Sequence, residues 1–151
     1  MRYRIVAVGK LKEPFYRSGA QHYLARLRAL AQCEVQEVRE GKGETAVVKR
    51  AEGEALLAAA DGRLIALHER GRTFDTRSLT RHIEQLELKG HSRISLLIGG
   101  ANGHDDDLLA SVHESWSLGP LTFPHDLARL VLLEQLYRVE TLRAGHPYHR
   151  D

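Results

Sequence analysis

Arg93–Ile98 (RISLLI) is apolar apart from its opening arginine and Ser95, and it runs without a break into Gly99-Gly100-Ala101-Asn102-Gly103. A strand with no alternation of polar residues is buried on both faces, and two buried faces imply a parallel sheet covered by helices on both sides. The chain around it agrees. Tyr3–Val8 (YRIVAV) reads as a strand closed by Gly9, and after Pro14 the residues Phe15, Ala20, Tyr23, Leu24, Leu27 and Leu30 fall on one helical face.

Cys33–Val38 reads as a second strand, and Thr45–Ala59 as a helix with Val48, Ala51, Ala55 and Ala59 in register. Leu64–Leu67 reads as a buried strand, which Gly71 then breaks. Thr76 or Ser78 caps a helix bearing Leu79, Ile83 and Leu86, with Gly90 at its left-handed end. A short helix is expected near Asp106–His113, a last strand over Trp116–Leu121 and a last helix over His125–Arg143. In that helix Leu127, Leu130, Val131, Leu132, Leu133, Leu136, Tyr137, Val139 and Leu142 cover most of the circumference, so it must be buried on more than one side, the second side against another subunit. Regular α/β alternation over 151 residues, without repeat or linker, predicts a single domain spanning 1–151.

Composition narrows the class of function. One cysteine, Cys33, forms no internal disulfide, and Met1–Gly9 has no secretory pattern, which points to a reducing, cytoplasmic compartment. No wholly apolar run, Leu130–Leu133 included, approaches the ~20 residues of a membrane span. Net charge is only +2, but Met1–Arg28 holds seven basic residues against Glu13 alone. Such asymmetry suits either a phosphate-facing surface or a solvated helix face.

Three segments carry candidate chemistry. The glycine cluster 99–103 lies at the carboxyl end of a strand, where open α/β sheets bind ligands, and absent side chains let a ligand approach backbone amides; the same residues also suit a plain tight turn. Its spacing is not that of a dinucleotide fingerprint. The loop Leu118-Gly119-Pro120-Leu121-Thr122-Phe123-Pro124-His125 suits either a rigid connector or the wall of an adenine-sized cleft. The tail Gly145–Asp151 places His146, Tyr148, His149 and Arg150 within five residues, groups suited to proton transfer, base stacking and phosphate contact. His146-x-x-His149 is a poor metal pair, because Pro147 breaks the helical register and no cysteine pair is present. His22, His82, His91, His104 and His113 read as solvated surface residues. Glu134 in the apolar helix needs a partner, and Arg138 at i+4 supplies one, as a structural or a catalytic pair.

VAVGK (Val6–Lys10), SLLIGGANG (Ser95–Gly103), SWSLGPLTFPH (Ser115–His125), LLEQLYR (Leu132–Arg138) and HPYHR (His146–Arg150) together resemble the bacterial ribosomal RNA large subunit methyltransferase H family of SPOUT-class enzymes. The resemblance runs the length of the chain. Glu37–Arg63 departs most from it, and Ala101-Asn102 stands where many relatives carry Pro-Glu. It implies a parallel-sheet SPOUT (α/β knot) fold with a C-terminal trefoil knot, a rare exception to the unknotted rule. It also implies a homodimer that methylates N3 of a pseudouridine in large-subunit ribosomal RNA, on the assembled ribosome, using S-adenosyl-L-methionine. By likeness the cofactor residues are Leu67, Gly100, Gly119, Pro120, Leu121, Thr122, Phe123 and Pro124, with no metal and no membrane involved. Transfer RNA methylation and a non-catalytic RNA-binding role in ribosome assembly are the competing expectations.

An imide nitrogen that holds its proton at neutral pH is a poor nucleophile until a base takes the proton. On that chemistry His149 is the expected base and His146 the alternate. Tyr148 is assigned to stacking or proton relay, and Arg150 to phosphate or developing negative charge.

Overall fold

A computed structural model describes residues 1–151. Five parallel strands, β1 (Arg2–Val8), β2 (Gln32–Val38), β3 (Arg63–Thr73), β4 (Arg93–Ile98) and β5 (Glu114–Ser117), form one sheet in the order β2-β1-β4-β3-β5. Helices α1 (Pro14–Arg28), α3 (Thr76–Leu88) and α5 (His125–Arg143) cover one face; α2 (Thr45–Ala59) and α4 (Asp106–Ser111) cover the other.

The alternation of β1 shows why both faces need cover. Tyr3, Ile5 and Ala7 join Leu27, Ile83, Leu132 and Leu136 in the larger core, while Val6 and Val8 meet Leu56, Leu97 and Leu108 in the smaller one. The chain then returns from the edge strand β5 to the middle of the sheet, where α5 packs between α1 and α3. A C-terminal knot requires such a return.

Several boundaries differ from expectation for physical reasons. β3 does not stop at Leu67: it continues to Thr73 through a register shift against β5, and Gly71 lies within it. A Cβ at Gly71 would stand 2.6 Å from the Ser115 carbonyl carbon, so this glycine permits strand contact instead of breaking the strand. The last strand ends at Ser117, which leaves 118–121 to the following loop, and α4 ends at Ser111. Asp75, not Thr76 or Ser78, caps α3, its Oδ1 accepting from Ser78 N–H at 2.7 Å. The buried face of α2 is Val48, Glu52, Gly53 and Leu56, while Ala51 is exposed and Ala55 and Ala59 are only half-buried. Alanines constrain helix phase weakly, and a buried glutamate disguises the face.

α5 spans the expected residues, and α1 and α3 within the same chain occupy much of its circumference. Leu127, Leu130 and Val131 remain half-buried. Gly19 faces Leu130, so Phe15, one turn earlier on α1 and 63% exposed, extends this apolar strip. At the other end of α5, Glu140 accepts from the Tyr3 hydroxyl at 2.6 Å and from Arg143, which also reaches Glu87 at 2.6 Å. Burial and the adjacent Glu140 carboxylate raise the Tyr3 phenol well above its ordinary pKa.

The basic N-terminal stretch is partly structural. Arg4 donates to the Ala59 carbonyl, Arg17 to those of Leu11 and Lys12, and Arg28 to that of Cys33. No helix is long and apolar enough to cross a membrane.

Candidate active site

A cavity of about 860 Å³ opens at the carboxyl ends of β3, β4 and β5. Three segments line it: Leu67–Arg70 running on from the buried part of β3, Ile98–His104 from the end of β4, and 116–125 apart from Pro120, from the end of β5 to the start of α5. Lys49 of α2, Asp106 and Leu109 of α4, and Ala128 of α5 complete the walls. Leu67, Ile98, Leu118 and Phe123 offer apolar surface, while Lys49, His68, Glu69, Arg70 and Asp106 place charged or polar groups on it.

The structure brings most of the expected cofactor residues together. Leu67, Gly100, Gly119, Leu121, Thr122, Phe123 and Pro124 all line the cavity; Pro120 is exposed and does not. The Ser117 hydroxyl holds the second loop, donating to the Gly119 carbonyl at 3.0 Å and accepting the Gly119 N–H at 3.1 Å. Gly119 itself has φ +127°, a conformation that favours glycine.

The glycine turn is explained differently from the sequence expectation. A Cβ on Gly100 would point not at the cavity but back at Val8 Cγ1 (3.0 Å) and Glu52 Oε1 (3.1 Å), and one on Gly99 would meet the Gly103 backbone at 3.0 Å. These glycines let the turn close on itself and on α2. The turn is tied by Gly103 N–H donating to the Gly100 carbonyl at 3.0 Å, whereas the Ala101 and Asn102 N–H groups donate to no acceptor in the chain.

His104 and His82 correct the expectation of solvated histidines. His104 is 8% exposed and lines the cavity, its Nε2–H donating to the Leu97 carbonyl at 3.1 Å. Burial lowers its pKa, partly opposed by that carbonyl contact, so the neutral ring is favoured with Nδ1 as a lone pair. His82 is half-buried with Nε2 2.6 Å from Glu114 Oε1. His22, His91 and His113 are exposed.

The tail lies elsewhere. His146, Tyr148, His149 and Arg150 line none of this cavity and pack or project beside the second half of α5. Tyr148 packs against Tyr137 with ring centroids 4.6 Å apart and planes tilted by 57°, the Arg138 guanidinium lies 4.7 Å from the Tyr148 ring, and the Tyr148 hydroxyl donates to Glu134 at 3.3 Å. Glu134 and Arg138 form the expected pair at 2.8 Å. His146 and Arg150 are exposed.

Lys49, His68, Arg70 and His104 were not identified from sequence as lining residues. His104 follows the glycine cluster directly, which was a usable signal. Nothing local marks Lys49 or Arg70, which tertiary packing brings to the rim.

The chain matches the family described as predicted SPOUT methyltransferase over residues 1–149. It is 43% identical over 151 residues to ribosomal RNA large subunit methyltransferase H of Deinococcus radiodurans, covering 99% of each chain. It is 44% identical over 151 residues to the protein of the same name from Thermus thermophilus, again covering 99% of each. Its fold is similar to a probable methyltransferase from Bordetella pertussis, with a TM-score of 0.57 at 13% identity over 92% of this chain and 96% of that one. A probable methylase family protein from Haemophilus influenzae shares the fold at a TM-score of 0.55 and 13% identity, over 99% of this chain and 70% of that one.

Proposed function

From membership of the SPOUT methyltransferase family, to which this chain belongs, we propose that it methylates N3 of a pseudouridine in large-subunit ribosomal RNA, using S-adenosyl-L-methionine. The observation that carries this reading is the cavity at the ends of β3, β4 and β5. It has the size of a small-molecule site, and it combines apolar walls for a purine with the unpaired Asn102 N–H for an anionic group.

When bound, S-adenosyl-L-methionine supplies an electrophilic methyl carbon. Leu67, Phe123 and the backbone of Gly100 and Gly119 hold and orient the adenosyl portion, with Leu121, Thr122 and Pro124 closing the loop over it. Fixing both reactants in line supplies much of the acceleration in a two-substrate transfer. His149 takes the imide proton, with His146 as the alternate base; Tyr148 stacks on the target base or relays the proton, and Arg150 contacts phosphate.

Because a chain's own tail lies outside its own cavity, the reading includes a homodimer in which one protomer's tail serves its partner's cavity. The strip of exposed Phe15 with half-buried Leu127 and Leu130, together with Leu121 on the cavity loop, which is 71% exposed, favours such pairing. The assembled ribosome supplies a structured target, and a cytoplasmic location follows from that substrate.

Incubation with methyl-labelled S-adenosyl-L-methionine and ribosomes tests the proposal, with transfer RNA as the competing acceptor. Label in large-subunit RNA at one pseudouridine is the expected result. Label only in transfer RNA, or none with cofactor bound, overturns the substrate assignment.

A further inference from the structure

Glu52 lies on α2 and is 5% exposed, yet only one of its carboxylate oxygens has a partner. Oε2 accepts the Gly41 N–H at 2.9 Å, while Oε1 is shielded from solvent and receives no donor. A buried carboxylate oxygen without a donor is unfavourable and calls for an explanation. Its surroundings supply one. Oε1 stands 3.1 Å from where a Cβ on Gly100 would be, so it faces the glycine turn from behind, beside Val8 Cγ1.

The same stretch of α2 forms the rear support of the cavity. Lys49, one turn earlier, lines it, and Gly53 packs against Asp105 and Leu108 just beyond the turn. The turn therefore carries unpaired donors at Ala101 and Asn102 while an unpaired acceptor waits beneath it. Two adjacent glycines leave the peptide planes of Gly99–Ala101 conformationally free to turn toward that acceptor.

We propose that Glu52 is a positioning residue for the glycine turn, Oε1 accepting a backbone N–H of Gly100 or Ala101 when the turn closes on bound S-adenosyl-L-methionine. This role rests on the cofactor reading above. It makes Glu52 a brace between the 39–44 loop, through Gly41, and the cofactor turn, without contact between Glu52 and the ligand.

Amide hydrogen exchange and calorimetry test it on the full chain. In the wild-type protein, saturating S-adenosyl-L-methionine is expected to slow exchange at Gly100 or Ala101 by roughly tenfold or more. Glu52→Gln keeps the side-chain volume and one acceptor for Gly41 but turns an amide N–H₂ toward the turn. It is expected to lose that protection and to bind the cofactor roughly tenfold or more weakly, with a melting temperature close to wild type. Wild-type amides that gain no protection on binding overturn the proposal without recourse to a variant. Unchanged affinity and protection in folded Glu52→Gln do the same. A wild-type chain that does not bind S-adenosyl-L-methionine instead removes the cofactor reading, and this role with it.

Discussion

Arg138 Nη1 lies 3.2 Å from His149 Nδ1. Arginine only donates, so Nδ1 accepts and is unprotonated, leaving Nε2–H to donate to Asp151 Oδ1 at 3.0 Å. Asp151 in turn receives Arg77 through Nε at 2.9 Å and Nη2 at 2.8 Å. The Arg77 hydrogen bond, then that of His149, holds the Asp151 carboxyl below its ordinary pKa. The tail is thus ordered on α5, and the lone pair of its proposed base must leave Arg138 before it takes a proton.

Deleting residues 146–151 is expected to abolish methyl transfer to ribosomes while leaving cofactor affinity within about twofold, since no tail residue lines the cavity. The lost aromatic contact of Tyr148 with Tyr137 should lower the melting temperature by a few degrees, about 0.5–1.5 kcal/mol. Single-turnover kinetics and calorimetry check both parts. Full activity in the truncated chain would remove the tail from the mechanism.

His149→Ala is expected to slow the chemical step by about 10²–10⁴-fold at neutral pH, with partial recovery as pH rises and the imide begins to ionise unaided. Arg150→Ala should instead weaken RNA binding and reduce its salt dependence by one phosphate contact. Rate against pH and binding against salt separate the two; identical phenotypes would refute the division of roles.

Gly100→Ala should disturb packing before it disturbs ligand contact. Its methyl would press on Val8 and Glu52, and overpacking of this kind costs about 1–3 kcal/mol. Chemical denaturation is expected to show that loss without cofactor present. A stable variant with weakened binding alone would place the side chain on the cavity side after all.

Glu37→Ala is expected to destabilise the fold by about 1–3 kcal/mol. Arg129 is 3% exposed and donates to Glu37 at 2.6 Å and to the Gly9 carbonyl at 2.9 Å, so removing the carboxylate leaves a buried charge without its counterion. Urea melts provide the measurement, and a loss below about 1 kcal/mol would mean the guanidinium finds water or another partner.

Acid should loosen the β5 edge of the sheet. Burial alone would raise the Glu114 pKa, but hydrogen bonds from Arg63 at 2.6 Å, Trp116 at 3.0 Å and His82 at 2.6 Å outweigh it and lower the value below the ordinary 4.5. A carboxyl with a depressed folded pKa contributes stability that is present above 4.5 and lost as pH falls through the lowered value. Melting temperature should therefore drop below about pH 4.5, and less steeply in Glu114→Gln. Equal slopes in the two proteins would show that other carboxyls carry the acid transition.

The sequence by itself determined the architecture, because hydrophobic period is a local property. RISLLI could only be a doubly covered strand, α2 and α5 were legible from end to end, and the loops at 99–103 and 118–125 announced themselves by glycine and proline at strand ends. Two terminal histidines in five residues marked the tail in the same local way. Packing decided what local pattern cannot encode. Glu52 reads as a solvated helix residue until α2 is laid against the glycine turn, and Gly100 reads as a ligand contact until Val8 and Glu52 are found where its Cβ would be. Lys49 and Arg70 reach the cavity rim, while His146 and His149 stay beside α5, because the return from β5 to the middle of the sheet sets which loops meet. Those contacts join residues far apart in the chain, and their energies depend on distance and burial that no window of sequence contains.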